Sequence, residues 1–255
     1  MSVKKVLVIR FRRIGDAVLS VVICSSIRKS FPEAEIHYVL NDHIAPLFEN
    51  HPDIDKIITF SDEENNHFFK YLRKVRQLMK TERYDVIIDT RATIKTLWFS
   101  AFSLRTKYRI GTSKFYNHFF HNYRVRNHVN DDLDEVVRNL LLLQPLERER
   151  KLIMTTDFRL YVTEQETAEF KSYMEQKGIN FSRFIVVCTP FTRVARKAWD
   201  MAKMKEILYR IIQRYDAQLI FNYSREEKAA ALTLYEDMGK DEHIFIDIEA
   251  DSLRK

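Results

Sequence analysis

Glycine is conspicuously scarce in this sequence: four in 255 residues, against the ~7% usual in proteins. Nucleotide-binding α/β domains spend glycine freely on their phosphate turns, so the shortage calls for an explanation. Cysteine is scarcer still. Cys24 and Cys188 lie far apart, each inside an apolar stretch. This excludes a disulfide framework and reads as two reduced core residues in a reducing compartment. No apolar run approaches the ~18 residues of a membrane span. Lys4 and Lys5 are followed by only four aliphatics before Arg10, too short an apolar core for a signal peptide. These absences point to a cytoplasmic protein.

One further absence is local. Residues 105–128 contain no aspartate or glutamate, yet hold Arg105, Lys107, Arg109, Lys114, Arg124 and Arg126 with three histidines and six aromatics. A basic stretch with interleaved aromatics can bind single-stranded nucleic acid or sit on an anionic membrane surface. It can equally be a loop whose aromatics pack and whose charges are solvated. The net charge of +6 favours an anionic partner of some kind. The rest of the composition, 45% hydrophobic and 31% charged, is that of a soluble globular protein long enough for two domains.

The chain is organised around its first strand. Val6, Leu7, Val8 and Ile9 read as a strand buried on both faces, the kind a parallel sheet uses. A short turn with one glycine then opens a helix, which places Asp16 at the carboxyl edge, where open α/β sheets bind ligands. Asp16 has two readings. It is the N-cap of that helix, or a carboxylate that accepts a proton from an incoming hydroxyl. Gly15 supplies the tight turn, and Arg12 and Arg13 could hold phosphate or carboxylate groups.

Further strands are predicted at 35–40, 54–60, 84–89 and 108–111, with helices at 44–49, 67–83, 97–104 and 133–146. This alternation is the signature of a parallel, doubly wound sheet. A linker within 144–154 separates residues 1–150 from 151–255. The second part starts with a strand at 158–162 and a helix capped by Thr163 and Glu166. Strands at 184–188, 218–221 and 243–248 follow, with helices at 201–215 and 224–238; the latter has Ser224 and Glu227 as a second capping box. Another helix starts at 251–255. At ~30 residues per βαβ unit, the second lobe lacks two or three units of a six-stranded sheet. Its last strand presents an unpaired edge that favours self-association.

Together, the first strand, Ile14-Gly15-Asp16 and Ser30-Phe31-Pro32-Glu33-Ala34-Glu35-Ile36 resemble the start of the heptosyltransferase family, glycosyltransferase family 9. Further matches run in order: Tyr84 to Asp89 followed by Lys95, the segment Arg109-Ile110-Gly111, and Phe184 to Trp199 with its Lys197-x-Trp199 pattern. The resemblance covers essentially the whole chain. It implies the GT-B fold, α/β with two Rossmann-like lobes of parallel sheet around a cleft, the C-terminal lobe incomplete. Residues 1–150 are then the acceptor-side lobe and 151–255 the partial donor-side lobe. It also implies inverting transfer of heptose from ADP-heptose to the lipopolysaccharide inner core, with no metal and no cofactor.

Carried over by position, Asp16 is the catalytic base and Lys197 neutralises the donor diphosphate. Thr189 and Thr192 suit phosphate oxygens, and Glu226 contacts the donor ribose or is a solvated first-turn glutamate. Gly15, Arg12, Arg13, Lys95 and Lys114 face an anionic, phosphorylated acceptor. A contact with the inner face of the inner membrane is compatible with this. No nucleic-acid motif is present, so no such partner is expected.

The sequence also departs from the family. Members continue beyond the equivalent of Leu253 with a strand and a glycine-rich loop that binds the donor diphosphate. On this resemblance, the lack of that loop would account for much of the missing glycine, and the chain is expected to be a truncated copy or a form completed by another polypeptide. Thr189-Pro190 stands where the family has asparagine-proline or a glycine-rich turn. The alternative is therefore a catalytically inactive homologue that keeps only anionic glycolipid or partner binding.

Overall fold

The computed structural model describes residues 3–11, 13–126, 133–192, 195–249 and 254. The chain divides into two compact units between Val162 and Thr163. In the first, the order is β1 (Lys5–Ile9), α1 (Ile14–Ser30), β2 (Glu35–Asn41), β3 (Lys56–Phe60), α2 (Asp62–Asn66), α3 (Phe68–Glu82), β4 (Val86–Asp89), α4 (Leu97–Ala101), β5 (Tyr108–Thr112), β6 (Tyr123–Val125) and α5 (Glu135–Leu141). The six strands form one parallel sheet in the order β3-β2-β1-β4-β5-β6.

Strand pleating sends alternate residues of β1 to opposite faces. Val6 and Val8 join Ile36, Tyr38, Val86 and Ile88 beneath α1, whereas Leu7 and Ile9 join Val39, Phe60 and Ile87 beneath α3. Burying these four aliphatics contributes roughly 2 kcal/mol each. Small residues let α1 lie close on the sheet: Ala17, Ser20, Cys24 and Ser25 are all buried, and the Ser20 and Tyr38 hydroxyls meet at 2.6 Å. On α3 the inward stripe is Tyr71, Val75 and Met79, at i, i+4 and i+8. Phe68, which opens the helix, is exposed.

The second unit runs α6 (Glu164–Gln176), β7 (Ile185–Cys188), α7 (Met201–Tyr215), β8 (Gln218–Phe221), α8 (Lys228–Asp237) and β9 (Ile244–Phe245), with a parallel sheet β7-β8-β9. Leu208, Ile212, Leu219, Phe221 and Leu234 form its main core. Both expected capping boxes are present, Thr163 with Glu166 and Ser224 with Glu227.

Several expectations need correction. The segment 158–162 is not a strand of the second part. It carries no ladder and belongs to the first unit, where the Tyr161 ring packs edge-on against His51; just before it, the Ser30 and Ser26 hydroxyls on α1 accept from the N–H groups of Ile153 and Thr155. The strand expected at 243–248 shrinks to Ile244–Phe245. The helix expected at 133–146 is α5 followed by a separate 3-10 turn at Gln144–Arg148. The helix expected at 251–255 lies, apart from Arg254, outside the described residues. Cys24 is buried, Cys188 half-buried, and both are free thiols. Among the described residues, no helix is long and apolar enough to cross a membrane.

Candidate active site

In the order β3-β2-β1-β4-β5-β6 the crossovers leave β1 and β4 in opposite directions, so a crevice opens between their carboxyl ends. The first residue beyond β1 is Arg10, and its side chain is only 3% exposed. A buried charge must be compensated. Its Nη2 lies 2.6 Å from Asp16 Oδ2 and 3.3 Å from Glu135 Oε1. Its Nη1 donates to Thr90 Oγ1 at 3.3 Å, and that hydroxyl donates to the Ile9 carbonyl at 2.9 Å. Arg91 Nη1 approaches Asp16 Oδ2 at 3.7 Å. Asp16 therefore sits in a cationic setting while its side chain stays 26% exposed.

This geometry removes the capping reading of Asp16. Helix α1 starts at Ile14 with Arg13 as N-cap and no side-chain cap bond. Asp16 is the third residue of the first turn, near the positive end of the helix. The turn does not need its glycine either. The left-handed backbone is at Arg13, with φ 57°. Gly15 is helical, and a Cβ there would meet nothing within 4 Å. A helical glycine costs about 1 kcal/mol relative to alanine, and no packing constraint accounts for it. Arg12 lies outside the described residues.

Lys95 and Lys114 converge on the same edge. Lys95 Nζ donates to the Asn65 carbonyl at 2.6 Å and to its side-chain oxygen at 2.8 Å, above the Tyr71 ring. Lys114 Nζ donates to the Arg91 carbonyl at 2.9 Å. A pocket of about 320 Å³ opens here, lined by Asn41, Asp62, Asn65, Asn66, Arg91 and Lys95 among others. Amides, one carboxylate and two cations suit a hydroxyl-rich ligand that carries negative charge.

Asp89 at the end of β4 is fully buried and holds the loop carrying Arg91. Its Oδ1 accepts from the N–H groups of Arg91 at 3.1 Å and Ala92 at 2.8 Å. His121 faces its Oδ2 at 3.7 Å, and burial pushes the imidazole pKa down. The Arg109-Ile110-Gly111 segment is structural. Arg109 donates to the carbonyls of Leu104, Thr106 and Phe120, and a side chain at Gly111 would strike the His121 ring.

In the second unit, Thr189 and Thr192 follow β7, and Lys197 ends the 3-10 turn Ala195–Lys197 that leads to α7. Glu226 lies in the 3-10 turn Arg225–Glu227 after β8. All four are exposed, on connections from the carboxyl ends of neighbouring strands. Arg10, Arg91 and Glu135 are not among the site residues expected from the sequence. A signal for Arg10 was available: an arginine ending an all-aliphatic strand needs a nearby acid, and Asp16 is the nearest downstream.

Two parallel α/β units, each gathering polar residues at its carboxyl edge, define the GT-B class of fold. The chain belongs to glycosyltransferase family 9 (heptosyltransferase), whose family model matches residues 72–241. It is 26% identical over 210 residues to the Escherichia coli (strain K12) lipopolysaccharide heptosyltransferase 3, covering 78% of this chain and 58% of that protein. Among solved structures, a family 9 glycosyltransferase from Veillonella parvula aligns with TM-score 0.81 at 15% identity, over 95% of this chain and 69% of that one. The E. coli ADP-heptose lps heptosyltransferase II aligns at 0.70 and 17% identity, over 91% of this chain and 68% of that one. The chain thus spans less than two thirds of the length of the curated relative.

Proposed function

We propose that this chain acts as an inverting glycosyltransferase that moves heptose, or a related sugar, from a nucleotide sugar such as ADP-heptose to the lipopolysaccharide inner core. The observation that carries this reading is Asp16 at the switch point, oriented by Arg10 and neighboured by Arg91, which also lines the polar pocket. Asp16 accepts the proton of the acceptor hydroxyl as that oxygen bonds to the anomeric carbon. The bond from that carbon to the diphosphate oxygen breaks on the opposite face. Configuration inverts, and ADP leaves with the electron pair.

Lys197 neutralises the charge that develops on the departing diphosphate. Thr189 and Thr192 hydroxyls serve its oxygens, and Glu226 contacts the donor ribose. Metal and cofactor have no role in this scheme; the nucleotide sugar is a substrate. On the acceptor side, Arg12, Arg13 and Lys95 meet anionic groups, Gly15 leaves room, and Lys114 holds the Arg91 backbone. The acceptor is an anionic glycolipid, so the enzyme works at the inner face of the inner membrane as a peripheral protein. Nucleic acid has no place in this reading.

Isothermal titration with ADP tests the donor half. Saturable binding at ~1 mM or tighter, weakened about tenfold by Lys197→Ala, is expected. No binding at that concentration would leave the chain a non-catalytic homologue.

A further inference from the structure

The carboxyl edge of the first unit carries a rim of large apolar side chains that stand exposed among the described residues. Phe69 is 83% exposed, Ile94 71%, Phe115 89% and Phe119 76%. They surround one loop. The Tyr71 hydroxyl donates to the Lys95 carbonyl and the Tyr116 hydroxyl to the Ala92 carbonyl, both at 2.9 Å. The 91–96 loop is thereby pinned between the start of α3 and the 114–121 segment. Arg73 and Arg76 follow Phe69 at i+4 and i+7, on the same exposed face of α3. Of the acids on α2, Glu63 and Glu64 pair with Lys70 and Lys74, and Asp62 lines the polar pocket.

We propose that this rim docks on the surface of an anionic lipid bilayer, with the phenylalanines and Ile94 entering the headgroup region and Arg73 and Arg76 meeting lipid phosphates. This deepens the proposed function by naming the surface that would bring the pocket to a membrane-held acceptor. Its test needs no turnover, so the two can fail separately.

Charge selects this occupant. An isologous second copy would set Arg73 and Arg76 near their own counterparts. A nucleic acid needs a continuous basic groove with stacking faces. Here Arg109 is spent on three carbonyls, Lys107 on Glu149 and Lys114 on the Arg91 carbonyl. The Phe115 ring stands at 85° to that of Tyr116, so the two form no flat platform. An aliphatic tip such as Ile94 has no role against bases but inserts readily between lipid headgroups.

Co-sedimentation with phosphatidylcholine vesicles containing about one third phosphatidylglycerol, against phosphatidylcholine alone, tests the proposal. Binding to the anionic vesicles only, reduced by salt, is expected. The double substitutions Phe115→Ser/Phe119→Ser and Arg73→Glu/Arg76→Glu should each weaken it about tenfold or more, with unchanged circular dichroism because all four side chains are exposed. Equal binding to both vesicle types, unchanged binding by both variants, a mixed oligonucleotide binding where vesicles do not, or a dimer abolished by the same substitutions would each overturn it.

Discussion

Replacing Glu82 by glutamine tests the electrostatics that tie α3 to the amino edge of the sheet. Glu82 Oε2 lies 2.5 Å from Lys5 Nζ, and its Oε1 lies 2.7 Å from Lys56 Nζ. Lys5 also meets Glu35 at 3.1 Å. The hydrogen bond from Lys5, then that from Lys56, pulls the Glu82 pKa down to about 2 from an ordinary 4.5. A drop of that size corresponds at most to about 3 kcal/mol. Half of Lys56 is in water, so screening reduces this to about 1–2 kcal/mol. The folded pKa lies below the unfolded one, so the stabilisation is fully present above about 4.5 and is lost as pH falls towards 2.

Glu82→Gln should therefore lower the unfolding free energy of the first unit by about 1–2 kcal/mol at pH 7. The gap to wild type should shrink to under half by about pH 3. Urea titrations followed by Trp98 fluorescence, in a Trp199→Phe background, isolate the first unit. A gap that does not change with pH, or no gap at pH 7, would refute the reasoning.

Two further substitutions bear on the site. Arg10→Met removes the buried counter-charge of Asp16 and Glu135, both of which keep some water contact. It should cost about 2–3 kcal/mol in the same urea assay, and a loss below about 0.5 would contradict the buried ion-pair account. Gly15→Ala meets no neighbour and should stabilise α1 by about 0.5–1 kcal/mol. It should also raise the KM for acceptor; unchanged acceptor kinetics would remove Gly15 from the site.

Much of the first unit was legible because fully apolar strands and long amphipathic helices leave strong periodic signals, as in Val6–Ile9 and α3. What escaped depends on contacts that sequence spacing does not encode. Strand β6 is three residues inside a basic stretch and exists because β5 offers its free edge. Phe158, Leu160 and Val162 alternate like a strand, yet all three are exposed; the segment joins no ladder, and the Tyr161 ring between them packs on His51 instead. At the site, the carboxyl-edge position of Asp16 followed from the strand–turn–helix pattern. Its partners did not, because Arg91 and Glu135 reach it only through the folded sheet. Within the basic run 105–128, the charge pattern alone did not show that Lys107, Arg109 and Lys114 are occupied within the protein.

The central claim is that Asp16 is the base of a sugar transfer. The direct measurement is the initial rate of ADP release from ADP-heptose in the presence of lipopolysaccharide core acceptor, for wild type and Asp16→Asn. Turnover by wild type, reduced at least about a hundredfold in the variant with an unchanged melting curve, is the predicted result. A variant that turns over at the wild-type rate would contradict it.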